Sequence, residues 1–351
     1  MAANAELERH LHRPLHPEGR DQGDPYLLEA PQGAQGAQDA PYRYYVYVTG
    51  EDAASGAAFP VYGSPDLIRW TALGYGLRGA PGKAHWAPCV RYVPGLARPY
   101  VMLYSRAVGV GEAAHIGHAI RRADAVAPEG PFQDSGEVLA PDLDFAIDPD
   151  VYRLPDGRLM LALATDFVAD APLGTGIVEA PIDDELRALT GPVSTLARAT
   201  QDWQVYDPAR RLPWMTIPGV DWERDTVRWH TVEAPSGGLV SPSGRPVYLF
   251  SGGCFFDFYA VGAIERDAQG ELRPLTGADA GFVLRPRPEA GVYAPGHCCW
   301  LSPPGGERGG ETDGETYLMY HARFGSPQAP RQFALARLRW DGEGRPVAEP
   351  P

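Results

Sequence analysis

One phrase recurs five times in varied form along the 351 residues: "GDPYLLEA", "HWAPCVRYV", "AIDPDVYRL", "VEAPSGGLV" and "YAPGHCCWL". Its prolines are Pro25, Pro88, Pro149, Pro235 and Pro295, so successive copies stand 63, 61, 86 and 60 residues apart. A self-similar period of this length marks an architecture built from repeated supersecondary units. Each phrase is followed, after a turn, by a near-continuous apolar run: "YRYYVYVTG", "PYVMLYSRA", "RLMLALATD", "PVYLFSGG" and "TYLMYHARF". Such runs suit strands buried on both faces. A third strand and often a fourth follow, as in "GTGIVEAPIDDELRAL" and "RQFALARLRWDGEGRPV".

Four short antiparallel strands repeated five times predict an all-β chain folded as a five-bladed β-propeller. A parallel α/β fold would need long amphipathic helices between strands, and the sequence has none. The 41 glycines and 36 prolines are nearly double the usual combined share of about 12 %, as many turns require. The expected domain plan is a flexible tail over residues 1–21, then one propeller over 22–348 with an insertion near 189–229. That insertion, rich in Trp, Tyr and Asp, either shapes a sugar pocket or tucks its aromatics into a local core.

The formal charge of −14, spread without a basic cluster, argues against nucleic acid or an anionic membrane as partner and suits a neutral ligand. Oligomeric state is not legible. Cys89, Cys254, Cys298 and Cys299 lack metal-site spacing and read as reduced thiols. No apolar run approaches a membrane span and the N-terminus lacks a signal-peptide core, so a soluble cytoplasmic protein is expected. His10, His12 and His16 read as part of the polar lead-in.

Proline cannot donate to a strand ladder and belongs at a strand start or edge. Residues beside the five prolines are therefore expected to line the mouth of the central channel. Immediately before them stand Asp24, Ala87, Asp148, Ala234 and Ala294; one position earlier stand Gly23, Trp86, Ile147, Glu233 and Tyr293. Each acid alone has a plain structural reading, since Asp-Pro often opens a turn. Three carboxylates at equivalent places are what inverting glycoside hydrolysis asks for. One activates water, one protonates the leaving oxygen, and a third keeps the acid protonated by like-charge repulsion.

With these pieces in order, and with "FPVYGSPDLIRW" and "GPFQDSG" between them, the chain from about residue 22 to 348 resembles glycoside hydrolase family 43, five-bladed propellers that include α-L-arabinofuranosidases, β-xylosidases and arabinanases. The resemblance implies Asp24 as general base, Glu233 as general acid and Asp148 as the residue that tunes the acid, with Asp150 a strand residue. It implies a sugar platform at Trp86, substrate contacts at Arg323 and Tyr293, and a channel calcium approached through water by His297; no other cofactor is implied. His85 and His321 are read as structural. Where many relatives have Gly-Pro-His after the acid, this chain has Ala234, Pro235 and Ser236, which leaves the sugar open.

The leading expectation is an inverting, exo-acting glycosidase removing terminal arabinofuranose or xylose from plant cell-wall oligosaccharides. Arabinofuranose is favoured because the chain ends soon after the fifth repeat, without the β-sandwich that longer xylosidases append. A non-catalytic sugar-binding propeller and a glycoside phosphorylase are the competing readings. Three acids count against the first, and the lack of a basic cluster for phosphate counts against the second.

Overall fold

The computed structural model describes residues 6–31, 41–79, 82–107, 117–275, 281–301 and 315–350. The described chain is all-β, with helix confined to short turns such as residues 6–8 and Asp202–Gln204. Each phrase opens a strand that starts an antiparallel succession of strands. Unit I is Tyr26–Glu29, Tyr44–Tyr47, Ala57–Ser64 and Thr71–Leu77. Unit II is His85–Tyr92, Tyr100–Ala107, His118–Ala125 and Gln133–Leu139. Unit III is Ile147–Arg153, Leu159–Phe167, Gly174–Pro181 and Ser194–Ala197. Unit IV is Val227–Val240, Pro246–Gly253, Tyr259–Arg266 and Leu272–Pro274. Unit V is Val292–Leu301, Thr316–Phe324, Arg331–Trp340 and Pro346–Ala348. Pairing gives four sheets rather than five separate ones, because Gly174 and Thr175 run parallel to His230 and Thr231 and join units III and IV.

The apolar runs form the second strand of each unit, and their side chains alternate between two neighbours, as the two-residue period of a strand requires. Tyr45 and Tyr47 pack toward unit II while Val46 packs toward unit V. Leu161 and Leu163 face unit II, and Met160 and Ala162 face unit IV. Val247 and Leu249 meet unit V, whereas Tyr248 and Phe250 meet unit III. Five core clusters thus link I to II, II to III, III to IV, IV to V and V back to I. The packing is a closed cycle, and each fully buried large side chain contributes roughly 1.5–3 kcal/mol to it.

The N-terminal segment was expected to be a loose polar tail, but residues 6–21 dock. Leu7 and Leu15 enter the cluster between units V and I. The His12 and Leu15 N–H groups donate to the carbonyls of Leu335 and Phe333, and Gln22 donates to Arg331. His12 is buried, with its Nδ1 2.9 Å from the Tyr320 hydroxyl. Two leucines eight positions apart supply the apolar anchor that the surrounding histidines and arginines hide in a composition reading. Residues 1–5 lie outside the described residues.

In the 189–229 insertion, Ser194–Ala197 is the outer strand of unit III. The remainder folds back as Val205–Arg210, which pairs with the start of Val227–Val240 and so lengthens the strand carrying Glu233. Leu212, Ile217, Val227 and Trp229 form a satellite core there, with Tyr206, Met215 and Trp222 against it. Most of the insertion's aromatics therefore serve local packing.

Candidate active site

The five pre-proline residues share an unusual backbone. Asp24, Ala87, Asp148, Ala234 and Ala294 have φ of 54, 47, 55, 52 and 45°. Non-glycine residues rarely adopt this left-handed region, which costs on the order of 1–3 kcal/mol each. The ladder slips at the same place in units II to V, between Trp86 and Cys89, Ile147 and Asp150, Glu233 and Ser236, and Tyr293 and Gly296. These are bulges, which re-aim side chains and admit proline. The N–H freed at the bulge is taken by a side chain of the preceding unit: Asp24 N–H by His321 Nδ1 at 3.0 Å, Ala87 N–H by Thr49 Oγ1 at 2.9 Å, and Ala234 N–H by Asp148 Oδ2 at 3.0 Å. Asp148 thereby fixes the backbone next to Glu233.

Asp24, Asp148, Glu233 and His297 are brought into one electrostatic cluster. Burial alone would raise the Asp24 pKa. Arg331, with Nη1 3.0 Å from Oδ1, and His297, with Nδ1 at 3.2 Å, outweigh it and hold the carboxyl well below its usual range. Burial first, then the neighbouring Asp148 charge, pushes Glu233 up to about 8, against the opposing hydrogen bond donated by Tyr259 Oη at 2.7 Å. Asp148 rises to about 6, through burial and the Asp24 charge, with His297 and the Ala234 N–H opposing. Near neutral pH the cluster therefore holds one carboxylate kept ionised and one carboxyl kept protonated, the combination that general base and general acid work requires.

His297 is raised to about 9: burial works against its charge, but Asp24 and Asp148 prevail. Its backbone N–H donates to Ser251 Oγ at 2.7 Å. Protein side chains alone do not make a calcium shell here, which needs six to eight oxygens. Asp24 is engaged by Arg331, Asp148 by the Ala234 N–H and Glu233 by Tyr259, and the His297 imidazolium is a donor only. Among the described residues no three His, Cys, Asp or Glu side chains converge as a metal site.

The other expected residues are placed as follows. The Trp86 ring stacks on His118 at 4.0 Å and 22°, and His118 meets Phe145 edge-on. Tyr293 lies opposite Arg323 in the ladder. Arg323 donates to the Ala329 carbonyl of its own hairpin loop and sits 5.9 Å from the Phe256 ring, so it is not the arginine on the base. His85 pairs with Glu51, a structural role, and Asp150 accepts from Tyr26 Oη and the Gly237 N–H. His321, expected to be structural, belongs to the site. It is neutral, because burial depresses its pKa and its Nδ1 accepts the Asp24 N–H, so its 3.5 Å approach to Asp24 Oδ1 is not an ion pair.

Arg331 and Tyr259 escaped sequence reasoning because they sit on third strands, away from the repeated phrase. A faint signal for Arg331 existed in Gly23: an added Cβ there would stand 2.0 Å from the guanidinium carbon. Tyr206 of the insertion also reaches the rim, 6.3 Å from the Phe255 ring, which in turn lies under Arg331.

The family model for glycosyl hydrolases family 43 matches residues 37–346. The chain belongs to glycosyl hydrolase family 43. Asp148, Glu233 and His297 fall inside the matched stretch, whereas Asp24 precedes it. No curated protein matches the chain. Among solved structures it is similar to a thermostable family-43 glycoside hydrolase, at 22 % identity over 94 % of this chain and 93 % of that one with a TM-score of 0.68. It is similar also to an endo-1,4-β-xylanase from Bacteroides thetaiotaomicron (19 % identity, 95 % of each chain, TM-score 0.67). A third is an α-L-arabinofuranosidase from Lactobacillus brevis (16 % identity, 98 % of each chain, TM-score 0.67). At these identities the likeness carries the family-43 fold and leaves the sugar undecided.

Proposed function

We propose that the chain is a five-bladed propeller bearing an inverting glycosidase site that removes terminal α-L-arabinofuranosyl residues from short oligosaccharides. The closed cycle of five packed units supports the blade count. The observation that carries the chemistry is the pairing of an ionised Asp24 with a protonated Glu233 in one buried cluster. In this reading Asp24 takes a proton from water as it attacks the anomeric carbon. Glu233 gives its proton to the departing oxygen, and an oxocarbenium-like sugar lies between them. Arg331 and His297 keep the base charged before the step. Asp148 keeps the acid loaded, and Tyr259 holds its carboxyl in one orientation. Trp86, braced from behind by His118, offers a face on which a sugar can stack.

The end-to-end match to the Lactobacillus brevis arabinofuranosidase supports arabinofuranose; the match to the Bacteroides xylanase supports xylose as the second reading. A panel of aryl and short oligosaccharide glycosides decides between them by the sugar released. NMR of the first-formed product should show the inverted anomer. Glu233→Gln should lower kcat/KM on oligosaccharides by about 10²–10⁴, with a smaller loss on nitrophenyl glycosides, whose leaving group needs little protonation. Wild-type rates in that variant, or a retained anomer, would sink the assignment.

A further inference from the structure

The inner strands continue past the carboxylates and line a second cavity at their far ends. Its volume is about 460 Å³, and Arg91, Tyr92, Tyr152, Arg153, Gly238 and Trp300 border it. Arg91, Arg153 and Gly238 each stand five positions after Trp86, Asp148 and Glu233 on the same strands. At about 3.3 Å per residue the cavity lies roughly 15 Å along the channel from the acids. Asp150 lies between the two places and is itself satisfied, by Tyr26 Oη at 3.3 Å and the Gly237 N–H at 2.8 Å.

Arg91 decides the chemistry of this cavity. Its guanidinium carries five N–H donors, yet among the described residues it makes no hydrogen bond or ion pair, and its Nε is buried without an acceptor. Its neighbours are the Tyr26 ring, 5.9 Å from the guanidinium carbon, and the Asp150 carboxylate, whose charge supports the cation. Only Nε is sealed from solvent; the rest of the part-exposed fork opens on the cavity, where a carboxylate matches its planar donors. Arg153 adds a second guanidinium on the rim; among the described residues its partners are the Gly157 carbonyl and the exposed Asp184, which also borders the cavity. Trp300 supplies a flat apolar wall. Its Nε1 donates to the Gly237 carbonyl at 2.8 Å, which pins the indole. Gly237 admits no side chain, since a Cβ would lie 2.4 Å from the Tyr152 ring, so the strand is held close to that wall.

We propose that this cavity binds a small ring-bearing carboxylate, with its acid group on Arg91 and its ring against Trp300. The volume is of the size that small-molecule sites occupy. A uronic acid and an aromatic acid share this chemistry. The inference does not depend on the glycosidase reading.

Isothermal titration of the full chain with D-glucuronate, benzoate, glucose, acetate and inorganic phosphate tests it. At least one ring acid should bind saturably, and the tighter of the two names the source. Glucose should not bind, and acetate and phosphate should bind at least about tenfold more weakly. Arg91→Gln should weaken the ring acid about tenfold or more while leaving aryl-glycoside hydrolysis unchanged. If that variant does not fold, Arg153→Gln on the exposed rim should show a loss in the same direction. Four results would overturn the proposal: no saturable binding of either ring acid, equal binding of acetate or phosphate, affinity untouched by both substitutions, or simple competition with the aryl glycoside.

Discussion

Arg331→Gln should move the acidic limb of the kcat/KM profile upward by about one to two pH units. Asp24 is buried, which on its own favours the neutral acid, and the guanidinium 3.0 Å away reverses that preference. An adjacent arginine typically lowers an aspartate by about 1–3 units. His297 remains beside Asp24 at 3.2 Å in the variant, so only part of the depression is lost. The acidic limb of kcat/KM reports the base of the free enzyme. At a pH on that limb the variant should therefore be about 10–100-fold slower than the parent, while the neutral plateau changes much less. Initial rates on an aryl pentofuranoside across the acid range measure it. Gly23→Ala should shift the limb the same way, because its methyl would displace the guanidinium. The same linkage acts on stability. A depressed carboxylate contributes fully above the unfolded value near 3.9 and loses that contribution as pH falls through its lower folded value. Urea unfolding of Arg331→Gln should accordingly depend less steeply on pH in the acid range. A limb that stays put in both variants would mean that Asp24 is not the base, or that Arg331 does not hold it.

The acid can be moved in opposite directions by two neighbours. Asp148→Asn removes a like charge and should lower the Glu233 pKa, shifting the basic limb down by about a unit. Tyr259→Phe removes a hydrogen bond to the ionised form and should shift it up by about half a unit to a unit; shifts of one sign in both would refute the account of the cluster. Leu15→Ala tests the docked N-terminal segment. A leucine 8 % exposed in the V–I cluster should cost about 2–4 kcal/mol in urea denaturation, whereas a loose tail predicts no change.

Much of this site was readable because bulged inner strands repeat. Proline is tolerated at few places in a sheet, so five prolines in five similar phrases reveal the inner strands, and the residues beside them must reach the channel. Asp24, Asp148 and Glu233 were legible on that basis. Arg331, Tyr259 and His321 were not, since each lies on a second or third strand whose local sequence resembles any other buried strand. Arg323 was the natural arginine to choose from "YHARF", yet the ladder sets it opposite Tyr293, while Arg331, eight residues on, reaches back to Asp24.

By itself the sequence determined the period, the alternation that buries each second strand between two neighbours, and the three acids at one register or the position next to it. These depend on local rules: strand periodicity, the missing N–H of proline, and turn chemistry. Only the tertiary structure decided which acid is ionised. Asp24 and Glu233 are both carboxyls within two residues of an inner-strand proline, and both are largely buried. The difference is that closing the cycle brings Arg331 and His297 of unit V against Asp24 of unit I, while Glu233 meets Asp148 and a tyrosine. Asp24 is held by charges more than two hundred residues away in the chain and Glu233 by a carboxylate 85 residues away, and nothing local to either phrase encodes them.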